Sequence, residues 1–276
     1  MVHAYKKSLA LMGMLALLFI LGACSAPGAG STSPSQTLLN SGTAMSKLTS
    51  VHFDLQTSVA VQSNSSSANG VTYTVTGQGD AAAPDKVAVN LSAGSPLLSL
   101  VSSGQTVYVQ LKGGQWYSVD KSKIKNAEQN FFSQSLATRL GQIMGVLQNA
   151  QLTDHGQETI NGQSLDHITA TLDAQTLKSL SSELNGLAPA NDQSNLNQIT
   201  KAVLDVWIDP TTSYVHVAKI DVVTQVDASA LDQFSGQKTG ATGALPIEMK
   251  AQVTFSKFNQ PVTIVPPANS TPLAQQ

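Results

Sequence analysis

The chain holds a single cysteine, Cys24, and a single arginine, Arg139, and charged residues make up only 12 % of its 276 positions. With no second cysteine, an intrachain disulfide and a zinc site built on several thiolates are both excluded. Cys24 also lies ahead of the folded region, so that region has no cysteine nucleophile and must draw its stability from a packed core. One arginine cannot supply the guanidinium forks that read base edges or clamp phosphates, and no basic stripe replaces them. Nucleic acid is therefore excluded as a partner.

The first residues are organised for export. Lys6 and Lys7 give a positive start, followed by an apolar run from Leu9 to Leu21 that ends in Leu21-Gly22-Ala23-Cys24. The run falls short of the roughly 20 apolar residues that a membrane span needs, and small residues rather than basic ones follow it, as at a signal-peptide cleavage site. Leu-Gly-Ala-Cys resembles the lipobox of bacterial lipoproteins. The resemblance implies a diacylglyceryl group on the Cys24 thiol, cleavage on its amino side, and an acylated protein held on the extracytoplasmic face of the cell membrane. Two acyl chains are about what stable anchoring takes. Removal of residues 1–23 takes Lys6 and Lys7 with it and leaves 253 residues carrying 13 basic and 17 acidic groups, a formal charge of −4.

Residues 24–35 are rich in Ser, Ala, Gly, Pro and Thr and read as a flexible tether, and 266–276 read as a frayed tail. One domain is expected between them, over 36–265. It opens with Leu38, Leu39, Met45 and Leu48 at helical spacing. The period then switches to two at Val51, Phe53, Leu55, Thr57, Val59 and Val61, with His52, Asp54, Gln56 and Ser58 on the opposite face. That alternation marks an antiparallel strand with one face on the core and one in water. It recurs at Val71 to Val75, Val87 to Leu91, Leu98 to Leu100 and Val107 to Leu111, separated by turn residues such as Pro84-Asp85 and Gly113-Gly114. Leu136, Leu140, Ile143, Met144 and Leu147 form one helical stripe. Asn161-Gly162 joins two strands as a hairpin, and Leu177, Leu180, Leu184 and Leu187 read as a second amphipathic helix capped by Asp173. Strands at Val203 to Ile208, Tyr214 to Val226 and Leu245 to Phe258 close the domain.

Meandering strands with inserted helices, and no repeated strand-helix-strand unit, define an α+β class. About ten antiparallel strands must curl, and a strongly curved sheet with helices over its concave face encloses an apolar space. The residues leave open whether that space is filled by side chains or kept for a ligand. Enzyme chemistry finds little support. Ser164, Asp166 and His167 share one strand, where neighbours alternate faces, and no Gly-x-Ser-x-Gly elbow occurs. The histidines lack metal-ligand spacing. No catalytic residue, metal or cofactor is expected.

In order along the chain stand Leu48, Ser50, His52, Phe53 and Leu55; a glycine-containing strand from Gly77 towards Val87; and Val107-Tyr108-Val109 with Gly113, Gly114 and Trp116. Gly156, Glu158, Thr159, Ile160, Asn161 and Gly162 follow, then Val206-Trp207-Ile208-Asp209 and a last segment from Pro261 to Pro267. This succession, with the lipobox cysteine before it, resembles the mycobacterial LppX/LprAFG lipoprotein family. The resemblance implies a U-shaped half-barrel whose hydrophobic cavity holds acyl chains of a lipid or glycolipid, for transfer or presentation in the cell envelope. The chain departs from the mycobacterial pattern at Ser63 to Asn69 and at the Gly-rich Ser235 to Gly243, so ligand identity stays open. Strand parity and the facing helix nominate Phe53, Leu55, Val89, Val109, Leu140, Met144, Ile220, Val222, Met249 and Val253 as cavity residues. The alternative is a filled core and a protein-interaction or scaffold role; a partner such as an envelope transporter is not readable from the residues.

Overall fold

The computed structural model describes residues 32–61, 71–124, 134–183, 199–227 and 243–273. The expected signal segment, Cys24, the Ser63–Asn69 insert, Leu184 and Leu187, and residues 235–242 lie outside them. From Pro34 onward the chain is one compact unit. Its helices are α1 (Pro34–Ser46), α2 (Leu136–Leu147) and α3 (Ala174–Glu183).

The strands are β1 (Ser50–Val61), β2 (Val71–Ala82), β3 (Lys86–Ser92), β4 (Pro96–Ser103), β5 (Thr106–Leu111) and β6 (Trp116–Asp120) in the first half. The second half holds β7 (Gln151–Ile160), β8 (Gln163–Thr171), β9 (Ile199–Ile208), β10 (Val215–Asp227), β11 (Ala244–Ser256) and β12 (Thr271–Pro272). All twelve belong to one open, curved sheet of order β12-β6-β5-β4-β3-β2-β1-β11-β10-β9-β8-β7. Two meanders, β1 to β6 and β7 to β11, meet where β1 pairs with β11. The connection carrying α2 therefore runs from one side of the sheet to the other, between β6 and β7.

Local chemistry accounts for the elements. Pro34 opens α1, where its missing N–H costs no helical bond; the helix thus begins two residues before the expected domain start. Ser135 caps α2 by accepting from the Thr138 N–H at 3.1 Å. Asp173 caps α3, its carboxylate accepting from the Thr176 N–H at 2.7 Å. That bond holds the Asp173 carboxyl below its ordinary range. Asn161 and Gly162 both have positive φ, 52° and 81°, as a two-residue type I′ hairpin requires.

The sheet has more strands than the periodicity suggests. Trp116–Asp120 pairs with β5, although its Gly-Gly-x-Trp start reads as a turn. Within the segment expected to fray from Pro266, Thr271–Pro272 pairs in parallel with Tyr117 and Ser118, and the Leu273 N–H donates to the Ser118 carbonyl at 2.9 Å. A polar, proline-bearing segment can cover a sheet edge, since such edges accept short and irregular strands.

The main core lies between the helices and one face of the sheet. Leu38 and Met45 of α1, Met144 and Leu147 of α2 and Leu180 of α3 cluster with Val51, Ile168, Val206, Ile208, Val215 and Phe255. On the outer face, Leu165, Trp207 and Val217 make a small second cluster.

Candidate functional site

Strand register sets a row of inner-face residues across the first meander. Phe53 of β1 lies opposite Gly79 of β2, which lies opposite Val89 of β3, then Leu100 of β4 and Val109 of β5. A parallel row runs Leu55, Gly77, Leu91, Leu98 and Leu111. In both rows β2 contributes glycine. Here the missing side chains decide the geometry: a Cβ on Gly79 would stand 2.5 Å from the Phe53 Cζ, and one on Gly77 2.5 Å from a Leu91 methyl. The ring and the isobutyl group thus lie across β2 itself, where an ordinary strand residue would hold them off.

Above this floor sits a cavity of about 370 Å³. Its wall is formed by Phe53 and Leu55, by Val87, Val89 and Leu91, and by Leu98 and Leu100. Leu136, Leu140 and Ile143 of α2 close it from the other side. The volume falls within the range of roughly 300 to 1,000 Å³ typical of small-molecule sites. Polar groups in the wall are few; Ser135, Arg139 and Asp85 are among them. The inner face loses its cover along β5, where Val107 is 2 % exposed and Leu111 60 %.

A model of the LppX_LprAFG lipoproteins matches residues 33–264. The chain belongs to this family. Among curated proteins none matches it. Solved structures similar to it include lipoprotein LppX of Mycobacterium tuberculosis, 21 % identical over 84 % of this chain and 97 % of that one, with a TM-score of 0.47. LprF of Mycobacterium bovis is 19 % identical over 87 % of this chain and all of its own, with a TM-score of 0.45. A LolA superfamily protein of Nitrosomonas europaea is 8 % identical over 83 % and 94 %, with a TM-score of 0.27.

In this LppX_LprAFG chain the cavity takes in four of the ten nominated residues: Phe53, Leu55, Val89 and Leu140. The other six stand outside the wall of this cavity. Met144 is buried against α1, where a Cβ on Gly42 would touch its own Cβ at 3.2 Å. Ile220, Val222 and Val253 are partly buried and pack against the main core. Val109 shares the inner face but lies one strand past the wall. Met249, midway along β11, is 43 % exposed. Parity assigns all of these to one face, yet only helix placement divides that face into filled core, cavity and open surface. Leu91, Leu98, Leu100, Leu136 and Ile143 were missed for the same reason. A usable signal existed in Gly77-x-Gly79, since glycines on one face of a strand mark a close approach of other groups.

The polar candidates go elsewhere. The Ser164 hydroxyl donates to Gln157 Oε1 at 3.0 Å. His167 lies on the outer face, Nδ1 3.1 Å from Glu158 Oε2 and Nε2 3.3 Å from Asp205 Oδ1, with its ring stacked between His155 and Trp207. The Trp207 Nε1–H donates to the same Glu158 carboxylate at 2.7 Å. Ser164, Asp166 and His167 thus form no relay. Among the described residues no helix is long and apolar enough to cross a membrane.

Proposed function

We propose that this protein binds acyl chains of a lipid or glycolipid, without catalysis, in the cavity between β1–β4 and α2, for transfer or presentation in the cell envelope. The observation that supports this is an apolar cavity built over two glycines and roofed by an amphipathic helix. Each buried methylene contributes about 0.8 kcal/mol, so a long chain needs few polar contacts. The same reading has Cys24 carry the diacylglyceryl anchor, with the domain on the extracytoplasmic face and a tether between the two.

The test is native mass spectrometry of the chain from Ser25 onward, purified from a lipid-containing host; the compact unit from Pro34 has a core of its own. Expected are discrete mass adducts that extract as acyl lipids. They should vanish in Leu100→Trp, which fills the cavity, and persist in Met249→Trp, which does not touch it. A clean protein mass that takes up no added lipid would leave a scaffold role as the better account.

A further inference from the structure

The first meander ends in two turns that lie side by side. One joins β3 to β4 and the other β5 to β6, and the Lys112 N–H ties them by donating to the Leu97 carbonyl at 3.0 Å. They stand at the opposite end of β5 and β6 from the Thr106–Asp120 pair, beyond which the chain leaves for α2. Turns in water ordinarily carry small and polar side chains. Here Leu111 is 60 % exposed, Leu97 38 % and Tyr117 37 %, and half-buried Trp116 precedes the tyrosine. One exposed leucine needs no explanation, but several large apolar groups on adjoining turns mark an interaction surface. Trp and Tyr are also the aromatic residues that settle at a boundary between membrane and water.

Charge and register say what meets this surface. Residues 86–119 hold Lys86 and Lys112 and no Asp or Glu, in a chain that from Cys24 onward carries a formal charge of −4. A second copy docked about a two-fold axis would set Lys112 near Lys112 with no carboxylate of this stretch to meet either. Leu111 lies opposite Leu98, and Tyr117 opposite Val109, which in turn lies opposite Leu100. Leu98 and Leu100 belong to the cavity wall, so the exposed residues continue its apolar rows. We infer that the two turns dock on a lipid bilayer with anionic head groups, Leu97, Leu111 and Tyr117 entering it and Lys112 meeting the head groups. A lipid passing between bilayer and cavity then crosses apolar side chains throughout. The inference rests on the lipid-binding reading above for the choice of occupant, and it adds a membrane contact that does not involve Cys24.

The experiment is vesicle flotation of the chain from residue 24 onward carrying Cys24→Ser, so that no acyl anchor contributes. The vesicles are phosphatidylcholine alone, or phosphatidylcholine with about one-third phosphatidylglycerol to supply the negative surface. The protein should float with the anionic vesicles and less with the neutral ones. Leu97→Glu together with Leu111→Glu should lower the partition constant at least about fivefold, because binding scales with the apolar area inserted. Lys112→Glu should weaken binding to the anionic vesicles only. Leu39→Glu, at a residue of α1 that is 38 % exposed, should change nothing, and Leu100→Trp, which fills the cavity, should still float. Lipid adducts in native mass spectrometry without flotation would overturn the docking surface and leave the cavity standing; flotation without adducts would do the reverse. Equal loss in Leu39→Glu and in the paired variant would also overturn the surface. Absence of flotation, with self-association in sedimentation that Leu111→Glu abolishes, would give the surface to a second copy and overturn the bilayer. If the paired variant fails to fold, Lys112→Glu, in an exposed turn, decides by itself.

Discussion

At Gly77 and Gly79 the absence of a side chain shapes the site, and the two positions differ in what a methyl group would meet. At Gly79 it would stand 2.5 Å from the Ala88 carbonyl oxygen as well as from the Phe53 ring, and a backbone oxygen in a strand ladder cannot step aside. At Gly77 the nearest atom is the end of the Leu91 side chain, which can rotate. Gly79→Ala should therefore cost about 1–3 kcal/mol, in the range of overpacked cores, and Gly77→Ala distinctly less. Urea unfolding of both variants checks the order; equal costs would mean that the strand pair yields more easily than its contacts suggest. Because either methyl pushes Phe53 or Leu91 up into the cavity, lipid uptake should fall in both. The pair of glycines was visible in the sequence, but which large residues lie over them was not, since Phe53, Val89 and Leu91 come from strands on both sides of β2.

α1 and α2 cross at Gly42 and Gly141. A Cβ on Gly141 would lie 2.8 Å from the Ser46 Cβ and 2.9 Å from the Gly42 carbonyl oxygen, so only hydrogen fits between the two backbones. Gly145, one turn further along α2, has nothing within 4 Å of the same position. Two alanine substitutions four residues apart should thus have opposite signs. Gly145→Ala should raise stability by about 0.5–1 kcal/mol through helix propensity and the unfolded chain, while Gly141→Ala should lower it by forcing the helices apart. Thermal unfolding of the pair distinguishes them. Removing the α2 cap with Ser135→Ala should cost about 1 kcal/mol and loosen the end of the helix that roofs the cavity. The stripe of α2 was legible from periodicity alone, and its bounds agree with the structure. The tight helix crossing was not, because a helical glycine has the same spacing whether it faces a neighbour or open space.

The whole molecule should lose stability on mild acidification. His216, beside Phe258 and with its side chain 16 % exposed, is pushed below its ordinary 6.5 by burial, and Asp209 at 3.9 Å offsets that only in part. The folded protein therefore holds His216 neutral while the unfolded chain takes up a proton, so stability is full above about pH 6.5 and declines as pH falls through the lowered value. Asp209 acts in the same direction at lower pH. Burial raises its carboxyl, but bonds from the Thr211 and Thr212 N–H groups outweigh it and leave the group below 3.8, so its contribution is lost as pH drops through that lowered range. His216→Gln should flatten the upper part of the stability profile below pH 6.5 and leave the lower part unchanged, which denaturant midpoints across pH would show.

Period-two alternation, the Asn161-Gly162 turn and the capped helical stripes by themselves determined an α+β chain with a one-sided antiparallel sheet, because these patterns report which face of each element avoids water. They also restricted the candidate cavity residues to one parity, and of those nominated Phe53, Leu55, Val89 and Leu140 stand in the wall of the cavity described above. Only the tertiary structure decided where on that face the space remains. It depends on how far α1, α2 and α3 reach across the sheet, and on which strands come together when β1 pairs with β11. Those are contacts between residues far apart in the chain, and the same apolar pattern serves a filled core at Ile168 and a cavity wall at Leu100.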